Sequence, residues 1–326
     1  MADVESPYND SHRAFLQAFL ARSVMTFEEA QPILASILSA RDETRPVPPA
    51  DITADDFGAY ISTLNASLSP LDLEIRSAHP QTPSPHRGEP VYALVNTASD
   101  ALTQLATTHS SDEIAYVKRL LDAMFETHNT ARAEVLALTG MQALNLHKAP
   151  RNHESAVAEA GETQPTQQSQ GASLTMAQAQ KVLDDLVEEG WFEKSAGGYV
   201  SLSARALMEL RGWLVETYND PAGESEDEGE GGGVRDRVKM CEACRQIVTV
   251  GQRCSNRGCR CRLHDACVRH FFRTRPDKRC PICKAEWTEQ DFVGERAAKP
   301  PNRNRMSNAT AGSSRRTTMA DDDDSE

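Results

Sequence analysis

The sequence lacks cysteine over most of its length. All eight cysteines lie between Cys241 and Cys283 of the 326 residues. No run of about 18 consecutive apolar residues occurs, and the first ten residues, MADVESPYND, are acidic and lack the apolar core of a secretory signal. We therefore predict neither a membrane span nor export. Without export, clustered cysteines are better explained as reduced metal ligands than as disulfides.

Bulky apolar residues are also scarce. Hydrophobic residues make up 39 % and aromatic residues 6 % of the chain. These shares are below those of a compact domain, so part of the length is expected to be linker or tail. The formal net charge of −13 argues against a protein that coats nucleic acid or an anionic membrane over its whole surface. Local basic patches remain compatible with that charge.

The segment 173–219 has the pattern of a winged helix. Thr175 can cap a helix whose apolar residues recur three and four positions apart, and Gly190 can end it. The strands WFEK and YVSL then flank the turn SAGG, which predicts a hairpin. Ser203 can cap a further helix.

The N-terminal part repeats this plan more loosely. It contains three amphipathic helices, the second opened by a capping box at Thr26 and Glu29. The strands LDLEI and VYALV follow, and a helix that includes Ile114 and Met124 ends the unit. We predict a mostly α-helical chain with small β wings, in which two winged helices stand in tandem.

The helices that would enter a DNA major groove are acidic. The one in the second unit offers Lys181 against four carboxylates, and its counterpart at 51–68 has no lysine or arginine. Because phosphates line the groove, such helices would be repelled. We predict that they contact protein. DNA contact by the wings, through Arg76, His86 and Arg87, is the alternative.

Ten residues between 241 and 283 could bind metal, and two tetrahedral zinc sites need eight ligands. CEAC, CPIC and the pair His264 with Cys267 have gaps of two residues, and the fourth pair has a gap of four. Nine residues separate pairs one and two, and twelve separate pairs three and four, so alternate pairs can share a metal. The predicted ligands are Cys241, Cys244, His264 and Cys267 for site 1, and Cys254, Cys259, Cys280 and Cys283 for site 2.

Cys261 and His270 are in surplus. Cys261 could replace Cys254 by pairing with Cys259, and the spacing leaves this alternative open, whereas His270 is interpreted as a helix-surface residue. A module with so few large apolar side chains needs metal to fold, and structural zinc contributes about 10 to 16 kcal/mol per ion. Because protein ligands fill both sites, no position is left for an activated water, and metal-assisted hydrolysis is not expected.

This zinc pattern resembles the RING family of ubiquitin ligases, with Pro281 inside the last pair and His264 in the fifth ligand place. The PHD finger shares the ligand order but usually has an aromatic residue where this chain has Lys278. Between Cys241 and Lys284, eleven Arg or Lys residues oppose three Asp or Glu residues, and two zinc ions with seven thiolates leave about +5. A basic module suits a RING, or nucleic-acid contact, better than a reader of histone tails.

The chain is thereby divided into five predicted segments. Acidic residues crowd 224–230 and three glycines follow, which is typical of a solvated spacer. The segments are a winged-helix domain A at 8–128, a winged-helix domain B at 129–219 with a disordered insertion at about 149–172, an acidic and glycine-rich linker at 220–237, a RING-like zinc domain at 238–295, and a disordered tail at 296–326.

Two winged helices followed by this RING variant resemble the non-SMC element 1 family, the RING subunit of the SMC-type chromosome complex devoted to DNA repair. The resemblance covers about residues 8–295 and is most specific from LVEEGWFEK through CEAC, CRLHDAC and CPIC. It implies a nuclear ubiquitin ligase subunit whose winged helices bind a MAGE-type winged-helix partner and, with it, a kleisin subunit. Such a RING binds a ubiquitin-conjugating enzyme and holds the ubiquitin thioester for attack by a substrate lysine.

The same resemblance implies a conjugating-enzyme surface at Ala243, Pro281 and Lys284, with Phe271 or Phe272 nearby. Lys284 directly follows the last ligand, where many active RINGs have a cation that bridges conjugating enzyme and ubiquitin. Two other functions compete with ligase activity. One is a non-catalytic scaffold whose zinc domain holds a complex together, and the other is direct nucleic-acid contact by the basic zinc module.

Overall fold

The structure, a computed structural model, describes most of the predicted folded segments. The predicted insertion, most of the acidic linker and most of the tail lie outside the described residues, as do His86 and Arg87. Within the described part, no helix has the length and apolar content needed to cross a bilayer. The described residues are 8–22, 24–41, 44–82, 89–97, 108–149, 173–219, 236–273, 275 and 277–298.

The first unit places three helices against a three-stranded antiparallel sheet. Strand β3 is central, between β1 and β2, and Ile75 pairs with Leu94. Phe15, Phe57 and Leu64 form the centre of its core. The helices and strands are α1 (Asp10–Ala21), β1 (Met25–Thr26), α2 (Phe27–Arg41), α3 (Ala54–Leu68), β2 (Leu73–Ala78) and β3 (Val91–Asn96).

Local hydrogen bonds explain where the helices begin. The predicted capping box forms at α2: the Glu29 carboxylate accepts from the Thr26 N–H at 2.8 Å, and the Thr26 hydroxyl accepts from the Glu29 N–H at 3.3 Å. In the second unit, the Thr175 and Ser203 hydroxyls cap two helices as predicted. Gly190 follows the first of these helices with φ 79°, a conformation that glycine adopts without strain.

The second unit has a similar sheet in the order β4, β6, β5. The predicted hairpin is formed by its last two strands, with Phe192 opposite Leu202. The helix predicted after Ser203 is divided in two at Leu210. The elements are α4 (Ser111–Asp122), β4 (Leu138–Thr139), α5 (Gly140–Asn145), α6 (Met176–Glu188), β5 (Phe192–Lys194), β6 (Tyr199–Leu202), α7 (Ala204–Glu209) and α8 (Arg211–Tyr218).

Helix α4 packs in the second core, although its residues are assigned from sequence to the first unit. Leu121 is buried in one cluster with Leu183 and Leu186 of α6. The Tyr116 hydroxyl donates to the carbonyl oxygen of Ala143 at 2.9 Å. We therefore propose that the first unit ends before α4 rather than at 128. In both units the order of elements agrees with a winged helix, and that assignment stays a prediction.

The zinc module forms a small sheet in the order β8, β7, β9, with one longer helix. Its Val268, Phe272 and Trp287 belong to the same buried cluster as the core of the second unit. The predicted linker therefore joins two units that share a core. The elements are β7 (Gly251–Arg253), β8 (Arg262–Leu263), α9 (Asp265–Arg273), β9 (Phe292–Val293) and α10 (Glu295–Ala298).

Candidate metal centre

The structure brings the eight predicted ligands together in two groups of four. Within each group the sulfur and nitrogen ligand atoms all lie within 4.8 Å of one another. The grouping is the interleaved one, in which alternate pairs meet. Site 1 contains Cys241, Cys244, His264 and Cys267, and site 2 contains Cys254, Cys259, Cys280 and Cys283.

Site 2 has the dimensions of a four-thiolate zinc site. Around a tetrahedral zinc with bonds of about 2.3 Å, neighbouring sulfurs lie roughly 3.8 Å apart. The Sγ atoms of Cys254 and Cys283 are 3.4 Å apart, and those of Cys259 and Cys280 are 3.6 Å apart. The backbone N–H of Ala285 lowers the pKa of Cys283 to about 7, which favours the thiolate that binds metal.

Site 1 has the dimensions of a zinc site with three cysteines and one histidine. The His264 Nδ1 lies 3.3 Å from the Cys244 Sγ and 3.8 Å from the Cys267 Sγ. The other ring nitrogen, Nε2, donates to the carbonyl oxygen of Ile247 at 3.0 Å. This bond fixes the tautomer in which Nδ1 carries the free lone pair and faces the thiols. Both sites therefore fit zinc, which would supply a structural cross-link and no reactive water.

Cys254 completes site 2, and Cys261 does not. Cys261 is fully buried but lies outside both groups. The backbone of Cys261 instead contacts two ligands of site 2. Its N–H lies 3.5 Å from the Cys259 Sγ, and its carbonyl oxygen accepts from the Cys254 N–H at 3.2 Å. Burial raises the pKa of Cys261 and keeps it a thiol. His270 is exposed and outside both groups, in agreement with its interpretation as a surface residue.

The two CxxC pairs form the same turn. In the first, the Arg245 N–H donates to the carbonyl oxygen of Cys241 at 2.9 Å, and in the second the Lys284 N–H donates to that of Cys280 at 3.0 Å. In both, the N–H of the first cysteine donates at 2.8 Å to the carbonyl oxygen five residues later. We call these turns knuckle 1 (241–245) and knuckle 2 (280–284).

The residues implied for a conjugating-enzyme surface lie on these knuckles. Ala243 and Lys284 are exposed, and Pro281 is half-buried. The Lys284 ammonium donates to the carbonyl oxygen of Pro281 at 3.0 Å, so the cation lies over its own turn. Sequence reasoning missed Ile282, whose side chain is 41 % exposed at the centre of CPIC. An apolar residue inside a zinc knuckle is the signal that could have identified it.

The two phenylalanines of α9 differ in access. Phe272 is buried and packs against Trp287, with ring centroids 5.4 Å apart. Phe271 is half-buried, and the Arg275 guanidinium lies 4.2 Å from its ring centroid. Of the two, Phe271 is therefore the one that a partner could reach.

A buried carboxylate connects the second unit to the zinc module. Glu134 is 3 % exposed and Arg262 is 1 % exposed. The Glu134 carboxylate accepts from the Arg262 Nε at 2.6 Å and also pairs with Arg262 Nη2 and the Lys239 ammonium. Burial alone would raise the pKa of Glu134, but Arg262, Lys239 and Arg253 outweigh it and lower the pKa to about 2. Arg262 also donates to the carbonyl oxygens of Cys259 and Cys261 at 2.8 and 2.7 Å, so the network reaches site 2.

Arg76, which lies in β2 and is the described member of the basic set proposed for DNA contact, takes part in a contact between the first and second units. The Arg76 Nε pairs with the Glu74 carboxylate at 2.8 Å, and its Nη1 donates to the carbonyl oxygen of Met208 at 3.4 Å. The hairpin of the second unit also contacts the zinc module, because the Ser195 hydroxyl donates to the Glu295 carboxylate at 2.6 Å. Arg76 and Ser195 therefore bind within the chain, and contact of the acidic helices with a protein partner stays a prediction.

Residues 12–210 match the family model described as the Nse1 non-SMC component of the SMC5-6 complex. The chain belongs to the Nse1 family. The match confirms the resemblance to the non-SMC element 1 family. Residues 241–283, from the first predicted ligand to the last, match a model of the RING-like domain.

Relatives of this Nse1-family chain cover nearly all of it. The human protein "Non-structural maintenance of chromosomes element 1 homolog" is 24 % identical over 281 residues, which are 86 % of this chain and 85 % of the human one. The Bos taurus homologue is 24 % identical over 308 residues, 91 % of this chain and 95 % of the relative. A chain of the solved Nse1-Nse3-Nse4 complex has the same fold, with a TM-score of 0.61, 21 % identity, and coverage of 86 % of this chain and 97 % of that chain.

Proposed function

We propose that this chain is a RING-type E3 ubiquitin ligase subunit of an SMC5-6-type complex that acts in DNA repair in the nucleus. The observation that carries the proposal is the pair of interleaved Cys and His groups, whose two knuckles present exposed residues at the surface of a RING-like domain. Four protein ligands would fill each site and leave no position for a metal-bound water, so the activity would consist of positioning a partner. The domain would hold a conjugating enzyme and its ubiquitin thioester in a reactive geometry.

The proposed docking surface combines apolar contacts with one cation. Ala243, Pro281 and Ile282 offer small or apolar contacts on the two knuckles. The Lys284 ammonium would leave the Pro281 carbonyl oxygen to contact conjugating enzyme and ubiquitin. The proposed roles are positional, since no side chain here would form a covalent intermediate with ubiquitin.

The proposed partners follow from the structural relative. That structure is an Nse1-Nse3-Nse4 complex, and its Nse1-like fold extends over 86 % of this chain. We propose that the two helical units bind a MAGE-type winged-helix subunit and, with it, a kleisin-type subunit. The acidic helix α6, with Lys181 opposing four carboxylates in and just after it, supports a protein partner over a DNA duplex.

Discharge of ubiquitin from a charged conjugating enzyme tests this function. We expect the full chain with its MAGE-type partner to accelerate discharge to free lysine, and Lys284→Gly to reduce that acceleration at unchanged zinc content. A panel of conjugating enzymes is needed because the cognate one is unknown. No acceleration with any enzyme and any partner combination would overturn the proposal.

The shared core favours a second candidate, a non-catalytic scaffold. The zinc module is joined to the second unit by a continuous apolar cluster and by buried Glu134, as expected of a part that holds an assembly together. A scaffold would lose repair function when Cys241 or His264 is replaced. It would retain repair function after substitution of Pro281 or Lys284, which separates it from a ligase.

A further inference from the structure

One side chain of the first unit reaches into the zinc module. Gln81 lies in the hairpin just after β2, and its Nε2 donates to the carbonyl oxygen of Ile247 at 2.7 Å. Its Oε1 accepts from the N–H of Thr249 at 2.9 Å, the N–H of Val250 at 3.0 Å and the Thr249 hydroxyl at 3.1 Å. A single amide therefore holds the backbone that connects knuckle 1 to β7.

The acceptor of Gln81 is also the acceptor of a predicted zinc ligand. The carbonyl oxygen of Ile247 takes one hydrogen bond from the Gln81 amide and one from the His264 Nε2 at 3.0 Å. A carbonyl oxygen has two lone pairs, so both donors can bind at once. Ile247 and Thr249 are each 2 % exposed, so water has little access to replace a lost donor.

We propose that Gln81 is a positioning residue for zinc site 1, so that the hairpin of the first unit and that site stabilise each other. Gln81 fixes the Ile247 carbonyl oxygen, which in turn fixes the His264 ring with Nδ1 toward the cysteines. Coupling between two sites is reciprocal, so zinc in site 1 strengthens the contact of the first unit by the same factor. The proposal concerns metal retention and is independent of ligase activity.

Gln81→Met in the full chain tests the coupling, because methionine removes all four hydrogen bonds at nearly constant volume. We expect release of zinc from site 1 to a chromophoric chelator to become roughly three- to tenfold faster, and release from site 2 to stay unchanged. Cadmium-113 NMR spectra of the protein with cadmium in place of zinc assign the change to one site. A site with a histidine ligand and a site of four thiolates give separate resonances. Gln17→Met, at an exposed glutamine of α1, is the matched control.

Gln81→Glu separates the two halves of the contact. The carboxylate can still accept from Thr249 and Val250, but it cannot donate to Ile247. Faster release from site 1 in this variant as well would show that the effect passes through the Ile247 carbonyl oxygen. Release at the wild-type rate would overturn the proposal, and it would do so even if Gln81→Met proved unstable.

Hydrogen exchange measures the reciprocal effect. Removal of zinc from the wild-type chain should speed exchange at β2 and β3, although neither strand contains a predicted ligand. Helix α2, which packs on α1 and α3, serves as the internal reference. Unchanged exchange in β2 and β3 after metal removal would also contradict the proposal.

Discussion

Arg245 and Lys284 occupy the same position in two successive copies of one turn. Each directly follows the second cysteine of its CxxC pair, and each has a left-handed backbone, with φ 60° for Arg245 and 63° for Lys284. Residues other than glycine and asparagine rarely adopt this backbone conformation. Both positions therefore carry long cations where glycine would be less strained.

Lys284→Gly is expected to remove the cation without weakening the turn. Glycine accepts the positive φ, so the melting temperature should be equal or higher, whereas Lys284→Ala keeps the strained Cβ and should be about 1 kcal/mol less stable than Lys284→Gly. Thermal unfolding measures this difference. If the Lys284 ammonium bridges conjugating enzyme and ubiquitin, both variants should lose discharge activity.

Arg245→Gly is the matched control for that pair, because it changes the same backbone position in knuckle 1. It should retain ubiquitin discharge. Loss of activity in Arg245→Gly but not in Lys284→Gly would contradict the assignment of the bridging cation to Lys284.

Removal of the Glu134 carboxylate is expected to destabilise the chain strongly. Glu134→Ala leaves the buried Arg262 guanidinium without its carboxylate, and breaking such a pair costs about 3 to 5 kcal/mol. Urea unfolding at neutral pH with zinc present measures the loss. Asp10→Ala breaks an ion pair whose carboxylate is 95 % exposed, so it should change stability by about 0.5 kcal/mol or less. Similar effects in the two variants would show that the Glu134 pair is not buried in solution.

The same carboxylate makes stability depend on pH. The pKa of Glu134 falls from an ordinary value of 4.5 to about 2 on folding, so its contribution is present above about 4.5 and is lost as the pH falls toward 2. The difference in unfolding free energy between the wild type and Glu134→Gln should therefore shrink between pH 5 and pH 3. Taking the difference cancels acid effects on the zinc ligands. A constant difference over this range would contradict the lowered pKa.

Metal content is expected to distinguish Cys254 from Cys261. Since Cys254 lies in site 2 and Cys261 lies in neither group, Cys254→Ser should reduce zinc from two ions per chain to one. Cys261→Ala should keep two ions and lose only about 1 kcal/mol from its small cavity. Elemental analysis of the purified chains gives both numbers. One ion in Cys261→Ala would restore the alternative pairing.

Gly251→Ala is expected to disrupt the sheet beside site 1. A Cβ at this position would lie 2.3 Å from the carbonyl oxygen of Leu263, a backbone atom that precedes ligand His264. Loss of zinc from site 1 and a lower melting temperature should follow. Gly58→Ala, in α3 with nothing within 4 Å of the new Cβ, should instead stabilise by about 0.5 to 1 kcal/mol. Equal melting temperatures for the two variants would contradict the close approach at Gly251.

The zinc ligands could be predicted because metal coordination constrains local spacing. A pair such as CEAC must fold round one ion, so the gap within each pair is visible in sequence, and the lengths between pairs favour crossing. The choice between Cys254 and Cys261 could not be made in this way. Cys254 directly follows β7 and Cys261 directly precedes β8, and the choice depends on which of the two side chains points toward the other ligands. Spacing in sequence does not encode that direction.

Contacts between segments that are distant in sequence could not be predicted from spacing or periodicity. Helix α4 has a clear apolar stripe, but periodicity shows that a face is buried and not which core receives it. Glu134 and Gln81 look like ordinary polar residues in sequence, and their partners Arg262 and Ile247 lie more than a hundred residues away. Recognising them requires the packed structure.

The burial of Glu134 against Arg262 affects how an excised zinc module would behave. A fragment that began at 236 would expose the guanidinium groups of Arg253 and Arg262 after losing the carboxylate that neutralises them. Part of any binding of such a fragment to oligonucleotides, heparin or acidic resins would then come from these two arginines, which Glu134 neutralises in the whole chain. Polyanion affinity therefore reflects the basic surface of the intact protein when residue 134 is included in the polypeptide assayed.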